Sequence, residues 1–261
     1  MEEYTREGIG ENLGTRLIGR HIRWHDTLPS TNDLAASLAE IQVPEGTVIV
    51  AEEQTAGRGR RGRPWTSPRG GIWLSIILRP PLPLPQAPLI GLAAATAVAR
   101  AIRVTTGLLA RVKWPNDVLI EGRKVVGVLV EAGPGAEWVI VGIGINANVP
   151  RAALPAETGY PATSLEEALG HPVDRGVLVR TVLRELERKY DELCGGGALR
   201  IVRTWREMAD TLGRVVRVET GGAVLEGSAD DIDDSGALLV RERDGVVHRV
   251  IAGEIVIREV G

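Results

Sequence analysis

The stretch "QTAGRGRRGRPW", residues 54–65, sets four arginines and three glycines together in a chain whose formal net charge is only −3. Gly57, Gly59 and Gly62 spell G-x-G-x-x-G, the pattern of a dinucleotide-binding turn. That pattern works only between a strand and a helix whose N-terminus receives the pyrophosphate. The strand is present as "TVIVAEE", 47–53, but Pro64 and Pro68 bracket "WTS" where the helix must begin. The acidic ribose partner, due about 20 residues later, falls in "RPPLP", which has no carboxylate. A nucleotide-binding crossover is therefore set aside. An arginine–glycine arm for single-stranded nucleic acid uses charge and stacking, but such arms lie in long disordered tails, and this one leads into the apolar run "GGIWLSIIL". The remaining bland reading is a solvated, charged turn. Against it stands the mutual repulsion of four guanidinium groups, which a bound anion relieves.

Working outward, the chain has 261 residues, 44% apolar and 25% charged, as expected of a globular protein with one large core or two unequal domains. Its mild acidity argues against general nucleic-acid binding, which calls for a strongly basic domain. No apolar run is read as reaching the roughly 18–20 residues of a membrane span, and the polar start "MEEYTREGIGENLG" is not a secretory signal. Cys194 stands alone, which excludes an intrachain disulfide and a cysteine zinc cluster. A reducing cytoplasm is the expected location.

Ser30 and Asp33 fit a capping pair before a helix to about Glu40, with Leu34, Leu38 and Ile41 at helical spacing. Strands are predicted at 47–53 and 71–78, and an alanine-rich helix at 89–102. Short meandering strands follow in "RVKW", "VLIEG", "RKVVGVLVEAG" and "EWVIVGIGIN". A short helix is read in "TSLEEALG" and an amphipathic one from Asp174 to Cys194. A further helix, "LRIVRTWREMADTL", is expected to end at Gly213. Beyond it, alternating residues with turns at Gly-Gly, Asp-Ser-Gly and Asp-Gly predict a small antiparallel barrel. The division expected is 1–20 as an extension, 21–210 as the main domain and 211–261 as the barrel.

Four collinear motifs carry a resemblance: "STND" at 30–33, "AEEQTAGRGRRGRPWTSPRGGIWLSIIL" at 51–78, "KWPND" within 112–131, and "VGIGINAN" at 141–148. In this order they closely resemble the biotin protein ligases, over nearly the full length. The resemblance implies an α+β fold like that of the class II aminoacyl-tRNA synthetases and biotin ligases. In that fold a mixed β-sheet with flanking helices precedes an SH3-like barrel. It also implies the activity: biotin and Mg·ATP give biotinyl-5′-AMP, and the biotinyl group then passes to one lysine of a carboxylase's biotin carboxyl carrier domain. The family's DNA-binding form carries an N-terminal helix-turn-helix domain. Fewer than thirty residues precede "STND", so a ligase with no repressor role, no DNA partner and no membrane is expected; a homodimer is left open. A lipoate protein ligase is the rival with the same chemistry, and "GRGRRG" with "KWPND" favours biotin.

By that resemblance, Lys113 and Arg60 are the catalytic cations. Ser30, Thr31, Asn32 and Gln54 serve the biotin ureido group, with Arg58, Gly59, Arg60, Gly71 and Lys113 completing the biotin contacts. Gly70 and Trp73 join Gly71 in an apolar wall. Arg60, Arg63, Trp65, Lys113, Asn116 and Asn146 face ATP. Arginine suits this work because it is always charged and presents a planar fork to oxygen anions. Arg61 is read as solvent-facing or anion-facing, Lys124 as near the nucleotide or merely exposed, and Arg258 as the barrel's most interesting cation. The magnesium ligands are left unknown, with Asp117 one candidate.

Overall fold

The structure, a computed structural model, describes residues 4–83, 86–155, 161–220 and 223–257. Seven strands form the main sheet: β1 (Ile22–Leu28), β2 (Val48–Gln54), β3 (Ile72–Leu78), β4 (Arg111–Lys113), β5 (Asp117–Ile120), β6 (Arg123–Ala132) and β7 (Val139–Ile145). Their order is β1-β2-β3-β7-β6-β5-β4. The β1–β2 pair is parallel, joined through α2 (Thr31–Glu40), and the other pairs are antiparallel. The sheet is therefore mixed and its second half is a meander, as the alternation of short apolar runs with tight turns predicts.

Alternation along the strands divides the core. Val48 and Val50 of β2, and Ile72, Leu74, Ile76 and Leu78 of β3, join the large cluster beneath α3 (Pro88–Thr106), α5 (Arg175–Cys194) and α6 (Ala198–Met208). Ile49, Ile77 and Ile140 point the other way and pack with Ala35, Leu38 and Ala39 of α2. The cap on α2 is as read: Ser30 Oγ accepts the Asp33 N–H at 3.3 Å.

Three departures from the sequence reading have physical causes. Helix α3 runs 19 residues with mean hydropathy 1.4, so by length and composition it meets the criterion for a membrane span that no run was expected to reach. It is instead a core helix, with most of its residues buried against α5, α6 and the sheet. Helix α6 stops at Met208, five residues before Gly213. There Ala209 turns extended and bridges Val112 in parallel, with the Asp210 N–H bonded to Val112 O at 2.8 Å. Strand β1 and the short α1 (Arg6–Gly10) were not foreseen; β1 is an edge strand in which only Ile22 is buried, so it lacks the apolar signal. The short helix read in "TSLEEALG" is α4 (Leu165–Leu169).

The C-terminal part is a five-stranded antiparallel sheet of β8 (Val215–Thr220), β9 (Ala223–Ile232), β10 (Leu238–Arg241), β11 (Val247–Val250) and β12 (Glu254–Ile257), ordered β11-β10-β9-β8-β12. It is fastened to the main body. The Trp114 indole N–H donates to Gly236 O at 2.9 Å, and Arg206 bonds Asp231 at 2.7 Å and Ile232 O at 2.6 Å.

Candidate active site

On the α2 side of the sheet, Ile140, Gly142 and Gly144 share a face by alternation. Ile140 lies under α2, Gly142 makes room for the Asn32 side chain, whose Oδ1 would be 2.1 Å from a Cβ there, and Gly144 leaves the sheet surface bare. Gly127 of β6 stands in register with Gly144. Into this bare patch folds the arginine–glycine loop, bringing Trp65 flat against the strands. A Cβ at Gly144 would lie 2.6 Å from the Trp65 Nε1, and one at Gly127 would lie 3.1 Å from the ring. Two side chains are thus omitted from the sheet to admit one indole. Between the loop, α2, the β4–β5 hairpin and the C-terminal sheet lies a cavity of about 470 Å³.

One end of the cavity is uncharged and polar. Gln54 Oε1 accepts the Thr31 N–H at 2.8 Å, and Gln54 Nε2 donates to Ser67 Oγ at 2.8 Å. The Ser75 hydroxyl lies 2.6 Å from Asn32 Oδ1 and 2.7 Å from Thr31 Oγ1. An amide oxygen only accepts, so Ser75 donates to Asn32, and the single Thr31 hydroxyl proton is shared between Ser75 Oγ and Gln54 Oε1, the latter 3.0 Å away. Asn32 Nδ2 then donates to Glu131 at 2.7 Å. Ser30 accepts at its cap, which leaves its own proton to donate.

The other end is cationic. Arg60, Arg61, Arg63, Lys113 and Lys124 all line the cavity. Arg60 Nη1 reaches Gly253 O at 3.0 Å and Asn116 Oδ1 at 3.3 Å, and Arg61 reaches Glu219 O at 3.2 Å. Lys113 ends β4 and Asp117 begins β5, opposite each other in register across the hairpin "KWPND". Both are buried, with Lys113 Nζ 3.4 Å from Asp117 Oδ2 and Lys124 Nζ 2.6 Å from Oδ1. Lys124 also sits 5.0 Å above the Trp65 ring. Burial alone would raise the Asp117 carboxyl; the ammonium groups of Lys124 and Lys113 outweigh it and hold its pKa below the usual value.

Most of the residues named from sequence converge here: Ser30, Thr31, Asn32, Gln54, Arg58, Gly59, Arg60, Arg63, Trp65, Lys113, Asn116 and Asn146 all line the cavity. Several do so differently from expectation. Gly71, Gly70 and Trp73 are not in the lining. Trp73 is fully buried in a separate cluster with Val149 and Leu154, donating to Pro68 O, and a Cβ at Gly71 would fall 1.9 Å from its ring. Gly71 thus makes room for a core tryptophan. The amide nitrogens of Asn116 and Asn146 go to Val128 O and Thr163 O, so both side chains brace the backbone around the cavity. Arg58 points to Asp33 and Glu131. Arg258 lies outside the described residues.

Glu131, Gly253, Ile255 and the pairing of Asp117 with Lys124 escaped sequence reading. Glu131 ends an apolar strand run, and a carboxylate in that position was its one available signal. The contribution of the C-terminal sheet had none, because it depends on how two units pack.

Fold and cavity together define a class: residues 24–148 match the biotin/lipoate A/B protein ligase family. Residues 211–258 match the biotin protein ligase C-terminal domain. The Bacillus subtilis bifunctional ligase/repressor BirA is 40% identical over 238 residues, spanning 90% of this chain and 73% of that protein. The biotin–[acetyl-CoA-carboxylase] ligase of Mycobacterium tuberculosis is 35% identical over 94% of each chain. The Aquifex aeolicus biotin protein ligase, solved in complex with biotin and ATP, superposes with a TM-score of 0.81 at 29% identity, covering 92% of this chain and all of that one. The chain belongs to the biotin protein ligase family, and the resemblance read from its four motifs is borne out.

Proposed function

We propose that this enzyme condenses biotin with Mg·ATP and transfers the biotinyl group to a lysine of a carboxylase's biotin carboxyl carrier domain. The observation that carries this reading is the two-ended cavity, with hydroxyls and a carboxamide at one end and lysines and arginines at the other. The polar end suits the ureido ring, whose buried donors and acceptors need partners. Ser30 and Thr31 are the proposed partners, with Gln54 and Asn32 holding them in place.

In the first step a biotin carboxylate oxygen attacks the α-phosphorus, the α–β phosphoanhydride bond breaks, and pyrophosphate leaves. Two anions must approach each other, and fixed cations offset the repulsion where charge grows. Lys113 takes this role, aimed by Asp117, with Arg60 and Arg63 on the phosphates. In the second step the carrier's lysine amine attacks the acyl carbon, AMP departs, and the amine proton passes to solvent. Trp65, with Lys124 over its ring, lines the part of the cavity assigned to the adenine.

Magnesium enters with the nucleotide. Asp117 does not suit a metal, since each of its oxygens is already taken by an ammonium group, and no cluster of three metal-ligating side chains occurs among the described residues. The proposal assigns no DNA contact to residues 4–21, whose one helix is the five-residue α1. The lone Cys194 agrees with work in a reducing cytoplasm. Incubation with biotin, Mg·ATP and a carrier domain should release pyrophosphate and add biotin mass to one lysine. No pyrophosphate release, or exchange on lipoate and none on biotin, would overturn the reading.

A further inference from the structure

Arg58 was expected to touch biotin, yet its guanidinium, at the edge of the cavity, is committed twice over to carboxylates. Nε and Nη2 donate to Asp33 Oδ1 at 3.0 and 2.5 Å, while Nη1 and Nη2 donate to the two oxygens of Glu131 at 2.6 and 3.1 Å. The two acids come from separate elements, Asp33 from the first turn of α2 and Glu131 from β6. Glu131 Oε2 also accepts from Asn32, whose oxygen accepts from Ser75 on β3. Hydrogen bonding to Glu131, then to Asp33, raises the pKa of Arg58 above that of an ordinary arginine.

The position of Arg58 gives this pairing its consequence. The loop is a small hairpin: Arg58 bridges Pro64, the Gly59 N–H bonds Arg63 O at 2.7 Å, and the Trp65 N–H bonds Gly57 O at 2.8 Å. Arg58 is at its base and Arg60–Gly62 form its tip. Three neighbouring arginines repel one another, so the hairpin needs an anchor that consumes charge at its base without drawing on the cations at its tip. Two carboxylates on rigid elements supply one.

We infer that Arg58, Asp33 and Glu131 form a clamp that holds the hairpin over the cavity, making Arg58 a positioning residue that presents Arg60, Arg63 and Trp65 rather than a ligand for biotin. This rests on the proposed ligase reading of the cavity and adds what keeps its cover in place. The two-oxygen fork onto Glu131, with two donors on one oxygen of Asp33, also fixes orientation, which a point charge does not.

The test is amide hydrogen exchange of the unliganded enzyme at Gly59 and Trp65, with β3 amides as internal reference, in Asp33→Asn, Glu131→Gln, Arg58→Met and the double variant Arg58→Met/Glu131→Gln. Charge-assisted hydrogen bonds of this kind correspond to about ten- to a hundredfold in an opening equilibrium. Glu131→Gln and Arg58→Met should therefore speed exchange at both reporters by about that factor, leave β3 protected, and combine non-additively because they cut the same contact. Arg58→Lys should fall between wild type and Arg58→Met. Asp33, half exposed, provides a variant whose folding is not at risk. In turnover the loosened hairpin should raise the biotin KM more than it lowers kcat and let acyl-adenylate escape to bystander lysines. Reporter exchange within about twofold of wild type, additive effects, or acceleration shared equally by β3 would overturn the clamp. Absence of pyrophosphate release by wild type would defeat the ligase reading while leaving the exchange result to stand.

Discussion

Asp117→Asn removes one negative charge from between two ammonium groups and leaves the shape nearly unchanged. The distances set the scale: Lys124 Nζ lies 2.6 Å and Lys113 Nζ 3.4 Å from the carboxylate. At an effective dielectric of about 20, each such pair is worth about 5–6 kcal/mol before desolvation is subtracted. Breaking a buried pair typically costs about 3–5 kcal/mol, because the remaining charge is stranded. The asparagine still accepts a hydrogen bond, so about 2–4 kcal/mol is expected, or roughly 5–15 °C in Tm for a chain of this length. The stranded lysines face the cavity, and phosphate oxygens can replace the lost carboxylate. Mg·ATP with biotin should therefore raise the Tm of Asp117→Asn by more than it raises that of wild type. Turnover should fall, since Lys113 loses its guide. Thermal melts at neutral pH with and without substrates measure the two stability effects, and pyrophosphate release measures turnover. A variant melting within about 2 °C of wild type, with an equal substrate shift, would refute the two-lysine bridge as a structural element.

Lys113→Ala should slow pyrophosphate release at saturating biotin far more than it weakens biotin binding by calorimetry, because its contact strengthens in the transition state; equal losses in both would remove it from the chemistry. Gly144→Ala places a Cβ 2.6 Å from the Trp65 nitrogen, so the indole must leave its seat, and its fluorescence and the ATP KM should change together while biotin binding is largely kept. Asp233, in the β9–β10 turn, is held down to about 2. Burial raises it, but the Ser235 hydroxyl, Arg249 and the backbone N–H groups of Ala237 and Ser235 outweigh that. Its contribution is present above the unfolded carboxyl value and is lost as pH falls through about 2. Discounted for partial exposure, that is about 1 kcal/mol. Asp233→Ala should lower the Tm at pH 6 and flatten its decline between pH 4 and pH 2; a parallel decline in both proteins would contradict the assignment.

What the sequence made legible were the features carried by local pattern. Strands β2, β3, β6 and β7 stand out because apolar runs must be buried, and α2 because Ser30 and Asp33 announce its start. The family resemblance carried by four motifs implied that Lys113, Arg60 and Gln54 share one site, and all three line one cavity. Features set by contact between distant segments stayed hidden. Arg58 in "GRGRRG" looks like its neighbours until Asp33 and Glu131 are seen beside it. Gly71 reads as part of an apolar wall around biotin, although it is the Trp73 ring that takes the space beside it. Strand β1 could not be read because one neighbour and one buried side chain leave almost no periodic trace.

Trp114 follows the cavity-lining Lys113 directly, is almost wholly buried, and donates its indole hydrogen to Gly236 O of the C-terminal unit. The smaller unit is thereby geared to the hairpin that bears Lys113. A tilt of that unit would pass through the Trp114 indole to the residue next to Lys113, as a lever acts through its pivot.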